Sequence, residues 1–177
     1  MGREIRRVPP NWRHPKRNPD RNPYRHTGLQ PMYDCTFERR FAEWLEDFDR
    51  IRAGDLTDIQ REVYPRGLAD WLCDEGQPID PDYYRPWKDE EATWFQLWET
   101  VSEGTPVSPP FATKEELADH LAEHGDGGWG ASRPGGWGKE RAYAFVMGDG
   151  WAPSMVLVGG QMMSGVEFVT TQPKGAA

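Results

Sequence analysis

The residues best suited to chemistry by type and spacing are His120-Leu121-Ala122-Glu123-His124. Histidines four apart share one face of a helix, and with a Glu as base they form the HxxEH pattern by which some zinc peptidases activate water. Such a site needs a third protein ligand, for which the two downstream glutamates, Glu140 and Glu167, are the candidates. A five-residue pattern also arises readily by chance. His120 and His124 each follow a leucine, Leu117 and Leu121, by three residues, the spacing of side chains that edge the packed face of a short helix. This second reading is preferred: no metal and no other cofactor is expected, and His120 and His124 are the candidate ligands should a metal bind.

Residues 125–138 hold seven glycines together with Trp129, Arg133 and Trp137. Glycine-rich backbone can approach phosphate closely, but the phosphate-loop pattern fails in detail. Glu140 follows Lys139 where Ser or Thr should bind magnesium, and Arg133 stands where the first Gly of the pattern belongs. A surface loop anchored by two tryptophans remains, and Trp129, Trp137 and Arg133 become candidate contacts for a protein partner, since interface centres favour Trp and Arg.

Arg6, Arg7, Arg13, Lys16, Arg17, Arg21 and Arg25 interleave with Trp12 and Tyr24. Such a mixture can follow a nucleic-acid backbone. A segment solvated, or neutralised by the rest of an acidic chain, is preferred, with Arg6, Arg7 and Arg13 kept as candidate binding residues. Acid clusters at Glu46, Asp47 and Asp49 and at Asp89, Glu90 and Glu91 are ordinarily solvated helix faces and first turns, and no EF-hand spacing is present. The serines lack a nucleophile elbow, and neither Cys35 nor Cys73 has a histidine close in sequence. Pro106 to Pro109 is a PxxP segment best read as an ordered loop.

These residues sit on an uneven charge distribution. Residues 1–30 carry eight Arg or Lys against two acids, net +6, while residues 31–177 carry thirteen against twenty-seven, net −14. A basic arm on an acidic body favours proteins or cations as partners of the body, and leaves nucleic acid as an alternative partner of residues 1–30. With 177 residues the chain can bury a core without disulfides or metal, and nine Trp, seven Phe and six Tyr concentrate that burial in large rings. Two cysteines suit reduced thiols in a cytosol. No apolar run reaches the roughly 20 residues of a membrane span, so a soluble, cytoplasmic protein is expected.

Six prolines between residues 1 and 31 argue against helix or central strand, so an extended arm over residues 1–31 is expected, anchored by Ile5, Val8, Trp12 and Tyr24. Residues 32–177 are expected to form a single domain. Phe37, Phe41, Trp44, Leu45, Phe48 and Ile51 predict a helix over 36–53, ended by Gly54. Thr57 with Gln60 and Thr113 with Glu116 are capping boxes, the second opening a helix that ends at Gly125. Leu68, Trp71 and Leu72 mark a short helix, and residues 139–147 another. Trp87, Trp94, Phe95, Trp98 and Val101 suggest a helix led by Asp89, Glu90 and Glu91. Near the end, residues 155–158, a Gly159-Gly160 turn and residues 162–169 predict a β-hairpin. The expected fold is α+β: short helices around an aromatic-rich core, a C-terminal β-hairpin and an extended basic arm.

Three segments carry a resemblance: the opening Met1-Gly2-Arg3-Glu4-Ile5-Arg6-Arg7-Val8-Pro9, the stretch from Trp98 to Phe111 containing Glu99-Thr100-Val101-Ser102-Glu103-Gly104-Thr105, and Gly150-Trp151-Ala152-Pro153-Ser154 with Ser164-Gly165-Val166-Glu167. Together they resemble a family of uncharacterised small proteins encoded by tailed bacteriophages and prophages. The resemblance carries no activity and no site residues. It implies a protein made in the cytoplasm of an infected bacterium, where small accessory proteins often bind host machinery or defence systems. The leading expectation is a non-enzymatic phage accessory protein that binds a host or phage protein, with inhibition of a host defence system as one purpose. A minor virion or packaging component using the basic arm, and a metal-dependent hydrolase at His120 and His124, are the alternatives; the oligomeric state stays open.

Overall fold

In the computed structural model, residues 2–17, 28–76, 80–100, 104–126 and 135–171 are described. They form, in chain order, β1 (Gly2–Val8), α1 (Phe37–Arg52), α2 (Asp58–Val63), α3 (Leu68–Asp74), β2 (Trp94–Thr100), β3 (Thr105–Pro106), α4 (Lys114–His124), α5 (Lys139–Val146), β4 (Trp151–Ala152), β5 (Met155–Val158), β6 (Gln161–Ser164) and α6 (Gly165–Thr171). This is the mixed α+β architecture, with an antiparallel four-strand sheet, a separate C-terminal hairpin and aromatic clusters in the core. The chain divides into two compact units, Met1–Met32 with Trp87–Ala177, and Tyr33–Pro86.

In the first unit the sheet runs β3-β2-β1-β4. The first strand is therefore an inner one, paired along its whole length from Gly2↔Thr100 to Val8↔Trp94, and on its other side through Arg3↔Ala152 and Glu4↔Trp151. This departs from the expectation that the proline-rich stretch excludes a central strand. The prolines begin only at Pro9, so every residue of β1 keeps the amide that a ladder requires. Alternation along β1 and β2 sends Ile5, Leu97 and Phe95 to one face, where Leu117 and Leu121 of α4 and Ala142, Phe145 and Val146 of α5 close a core. The opposite face presents Val8 and Trp98, covered by Met32, Trp87, Ala92 and Trp12. Tyr24, the fourth expected anchor, lies outside the described residues.

Residues 94–100 are strand, where the aromatic spacing suggested helix. Gln96, Leu97 and Trp98 are all buried, because β2 is covered on both faces, and a strand of that kind lacks the polar alternation that would mark it. The acids 89–91 form only a single 3-10 turn, in which the Glu91 carboxylate accepts from the Lys88 amide at 2.8 Å.

Helix α4 begins as its sequence dictates. The Thr113 hydroxyl accepts from the Glu116 amide at 3.1 Å and the Glu116 side chain accepts from the Thr113 amide at 3.2 Å, while Gly125 ends the helix at φ +67°. Gly136 passes so close to the Ala122 carbonyl that no Cβ could be accommodated there. The hairpin turns at Gly159 and Gly160, whose φ values of +57° and +82° meet the requirement of a type I′ turn. Its second strand stops at Ser164, and residues 165–171 wind into α6 where the strand was expected to continue.

The unit Tyr33–Pro86 consists of α1, α2 and α3. Thr36 caps α1 through the Arg39 amide, and Thr57 and Gln60 cap each other at the start of α2. Trp44, Ile51 and Trp71 are its buried centre, flanked by Phe41, Phe48, Leu56, Tyr64 and Leu68.

Two substitutions test this account. Thr113→Ala removes one cap and should lower stability by about 1 kcal/mol. Leu117→Ala, at a fully buried position, should cost about 3 kcal/mol. Urea denaturation followed by circular dichroism reads both.

Candidate protein-binding site

Within Tyr33–Pro86 the three helices leave a groove of about 380 Å³ between them. α1 supplies Arg40, Trp44 and Asp47, whose spacing of four and three residues places them on one face. Ile59, Gln60 and Val63 of α2 and the adjoining Tyr64 form a wall, and Trp71 of α3 with the following Glu75 completes the lining. Trp44 and Trp71 stack with ring centres 5.5 Å apart and are nearly buried, so the floor is aromatic. Trp44 Nε1 donates to the Gly76 carbonyl, which fixes that ring.

The wall is different. Ile59 is 75% exposed and Val63 56%, one turn apart on the same stripe of α2. The capping box sets where α2 begins and hence which way this stripe faces. Gln60 serves twice, since its carbonyl oxygen caps the Thr57 amide and accepts from Arg50 Nη1 at 3.0 Å. Arg50 also pairs with Asp47 at 2.9 Å. Tyr64 donates to Asp74 at 3.0 Å, a bond that raises the phenol's pKa. Residues 33–86 contain fourteen acids, seven arginines and no lysine, so this unit carries −7 of the chain's −8.

The residues singled out from sequence are dispersed. His120 and His124 do come together on α4, ring centres 4.8 Å apart, with Phe111 5.0 Å from His120. Burial, and then the neighbouring His124, lower the pKa of His120. Among the described residues no three His, Cys, Asp or Glu side chains are grouped to hold a metal ion, and Glu167 instead faces Arg141 at 4.0 Å. Trp137 packs edge-on against Phe145 at 5.4 Å, as part of the core. Trp129 and Arg133 lie outside the described residues.

Arg7 and Arg13 are exposed, but Arg6 is 6% exposed and occupied within the fold. It pairs with Glu4, donates to the Met32 carbonyl at 2.6 Å and lies over the Trp98 ring at 4.5 Å. Arg3, also buried, pairs with Asp126 at 2.6 Å. The Cys35 thiol has its pKa pushed up, first by burial and then by Glu43, away from the reactive thiolate.

Sequence reasoning missed two features. The groove joins residues from three helices, and its only sequence signal is the apolar pair Ile59 and Val63 in an otherwise polar six-residue helix. The other is His14, half-buried between Trp12 and Trp98. Its Nδ1 accepts from Trp12 Nε1 at 3.3 Å and its Nε2 donates to the Gln30 carbonyl at 2.5 Å, an arrangement that needs the neutral ring. Burial, and further the charge of Arg6, lower its pKa, against the opposing effect of the Gln30 bond.

No protein-family model matches this sequence, and no curated protein or solved structure is significantly similar to it. Among the described residues no helix is long and apolar enough to cross a membrane.

Both His14 and His120 are held below their ordinary value of 6.5. A group depressed on folding lends its full stability above the unfolded value and loses it as pH falls toward the folded one. The urea midpoint should therefore be level above about pH 6.5 and decline between there and about pH 5, before most carboxylates titrate. His14→Gln should flatten that decline.

Proposed function

We propose that this protein acts by binding another protein, without making or breaking bonds, and that the groove of the Tyr33–Pro86 unit is the contact. The observation that carries this reading is the pairing of an aromatic floor, Trp44 and Trp71, with two exposed aliphatic side chains, Ile59 and Val63, on a unit of net charge −7. A large apolar anchor from a partner would displace water from the floor and cover the wall, which is where binding energy concentrates in protein interfaces. The surrounding acids would select basic flanks on that anchor and speed encounter with it. The fitting occupant is a Lys- or Arg-rich segment carrying one bulky apolar residue. The resemblance of three segments to phage-encoded proteins supports a host or phage protein in an infected bacterium as that partner, with inhibition of a defence system as one purpose.

Ile59→Asp tests the reading cleanly, because an acid in the first turn suits α2 and the position is exposed. A basic amphipathic peptide with a Trp or Leu anchor should bind the wild-type chain in titration calorimetry. It should bind Ile59→Asp at least tenfold more weakly, and should lose affinity as salt is raised from 0.05 to 0.5 M. An acidic peptide of the same pattern should not bind. Equal binding by both chains, or by both peptides, would remove the groove from the proposal.

A further inference from the structure

We infer that the outer face of the β5–β6 hairpin is a self-association surface, the place where a second copy of this chain docks. The ladder pairs Met155 with Ser164 and Leu157 with Met162, which puts these four side chains on one face of the hairpin. Val156 and Met163, paired on the other face, are half-buried, and α6 packs against both strands. Among the described residues nothing covers the outer face in this way: Met155 is 55% exposed, Leu157 69% and Met162 66%.

The hairpin is also uncharged. From Gly150 to Val166 there is no Asp, Glu, Lys or Arg, in a chain of which 28% is charged. Exposed strands are ordinarily guarded by Lys, by Pro or by a bulge, and β5 and β6 contain none of these. A two-stranded ribbon alone is marginal in water, so a face of Met and Leu left open on one gains from being covered.

Charge chooses the occupant. A basic partner has the acidic Tyr33–Pro86 unit to attract it and nothing on the hairpin. Two copies of net charge −8 repel wherever their acids meet, and the uncharged hairpin is where they can approach without that opposition. The contact is isologous: each hairpin offers its mate the same apolar set, so one surface supplies both halves of the interface. Long, unbranched Met side chains adapt to such a symmetric meeting.

The full-length chain, studied by sedimentation velocity from micromolar to submillimolar concentration, should pass from monomer to dimer. Raising salt should favour the dimer, because screening weakens like-charge repulsion, whereas binding of a basic segment at the groove should weaken under the same conditions. Leu157→Glu and Leu157→Lys, each folded by circular dichroism, should raise the dimer dissociation constant at least tenfold. Mixing the two should restore a mixed dimer. Ile59→Asp should leave dimerisation unchanged, which separates this surface from the groove. A chain that stays monomeric at every concentration would overturn the inference, as would a dimer indifferent to both Leu157 variants. A monomer that binds neutral phosphatidylcholine vesicles through Leu157 would overturn it in favour of a lipid surface.

Discussion

The first unit depends on how one buried guanidinium is held. Arg6 sits in an inner strand, where an unpaired charge would cost several kcal/mol. It is tolerated because Glu4 neutralises it, the Met32 carbonyl accepts one of its protons and the Trp98 ring lies beneath its plane. These partners come from β1 itself, from the segment that returns to the sheet at residues 28–32, and from β2. One side chain thereby joins three parts of the chain, and the Trp98 ring it covers belongs to the aromatic layer that Trp98 forms with Trp12 and Trp87. Arg3 does the same on the opposite face by reaching Asp126, just beyond α4. The two arginines keep β1 between its neighbours.

This arrangement explains what the sequence disclosed and what it concealed. Thr57 with Gln60 and Thr113 with Glu116 marked helix starts correctly because a capping box is complete within four residues. Gly159-Gly160 marked the turn for the same reason. β1 was hidden because Arg3 and Arg6 look like solvated charges until their partners are known, and those partners, Asp126 and Trp98, stand 123 and 92 positions away. β2 was hidden because burial on both faces erased its alternation, and the acids at 89–91 imitated the first turn of a helix. The residues of α6 read as strand because Val166, Phe168 and Val169 suit either state, and only the packing of α6 beside β1 and β4 decides between them.

The candidate surfaces were legible to different degrees. Basic and acidic halves were visible, yet division at residue 31 blurred the more telling contrast. The helical unit holds almost the whole net charge, while the unit containing the sheet is close to neutral. The proposed binding of a basic partner and the inferred self-contact would thus fall on different parts of one chain. His120 and His124, whose spacing forms a motif, are neighbours on a helix, whereas His14, which belongs to no motif, has the more constrained hydrogen bonding.

The pairing of β1 also sets an order of events during synthesis. Its seven residues are translated long before β2, at 94–100, and β4, at 151–152, can meet them. The helical unit needs no such delay. Its contacts run between α1, α2 and α3, close in sequence, and its two ends are joined where the Tyr33 amide donates to the Tyr83 carbonyl at 2.8 Å. Local helices close quickly and distant strand pairs slowly. All the residues that make the contacts of the acidic, Trp-floored module are therefore translated before the sheet-forming portion receives its last strand.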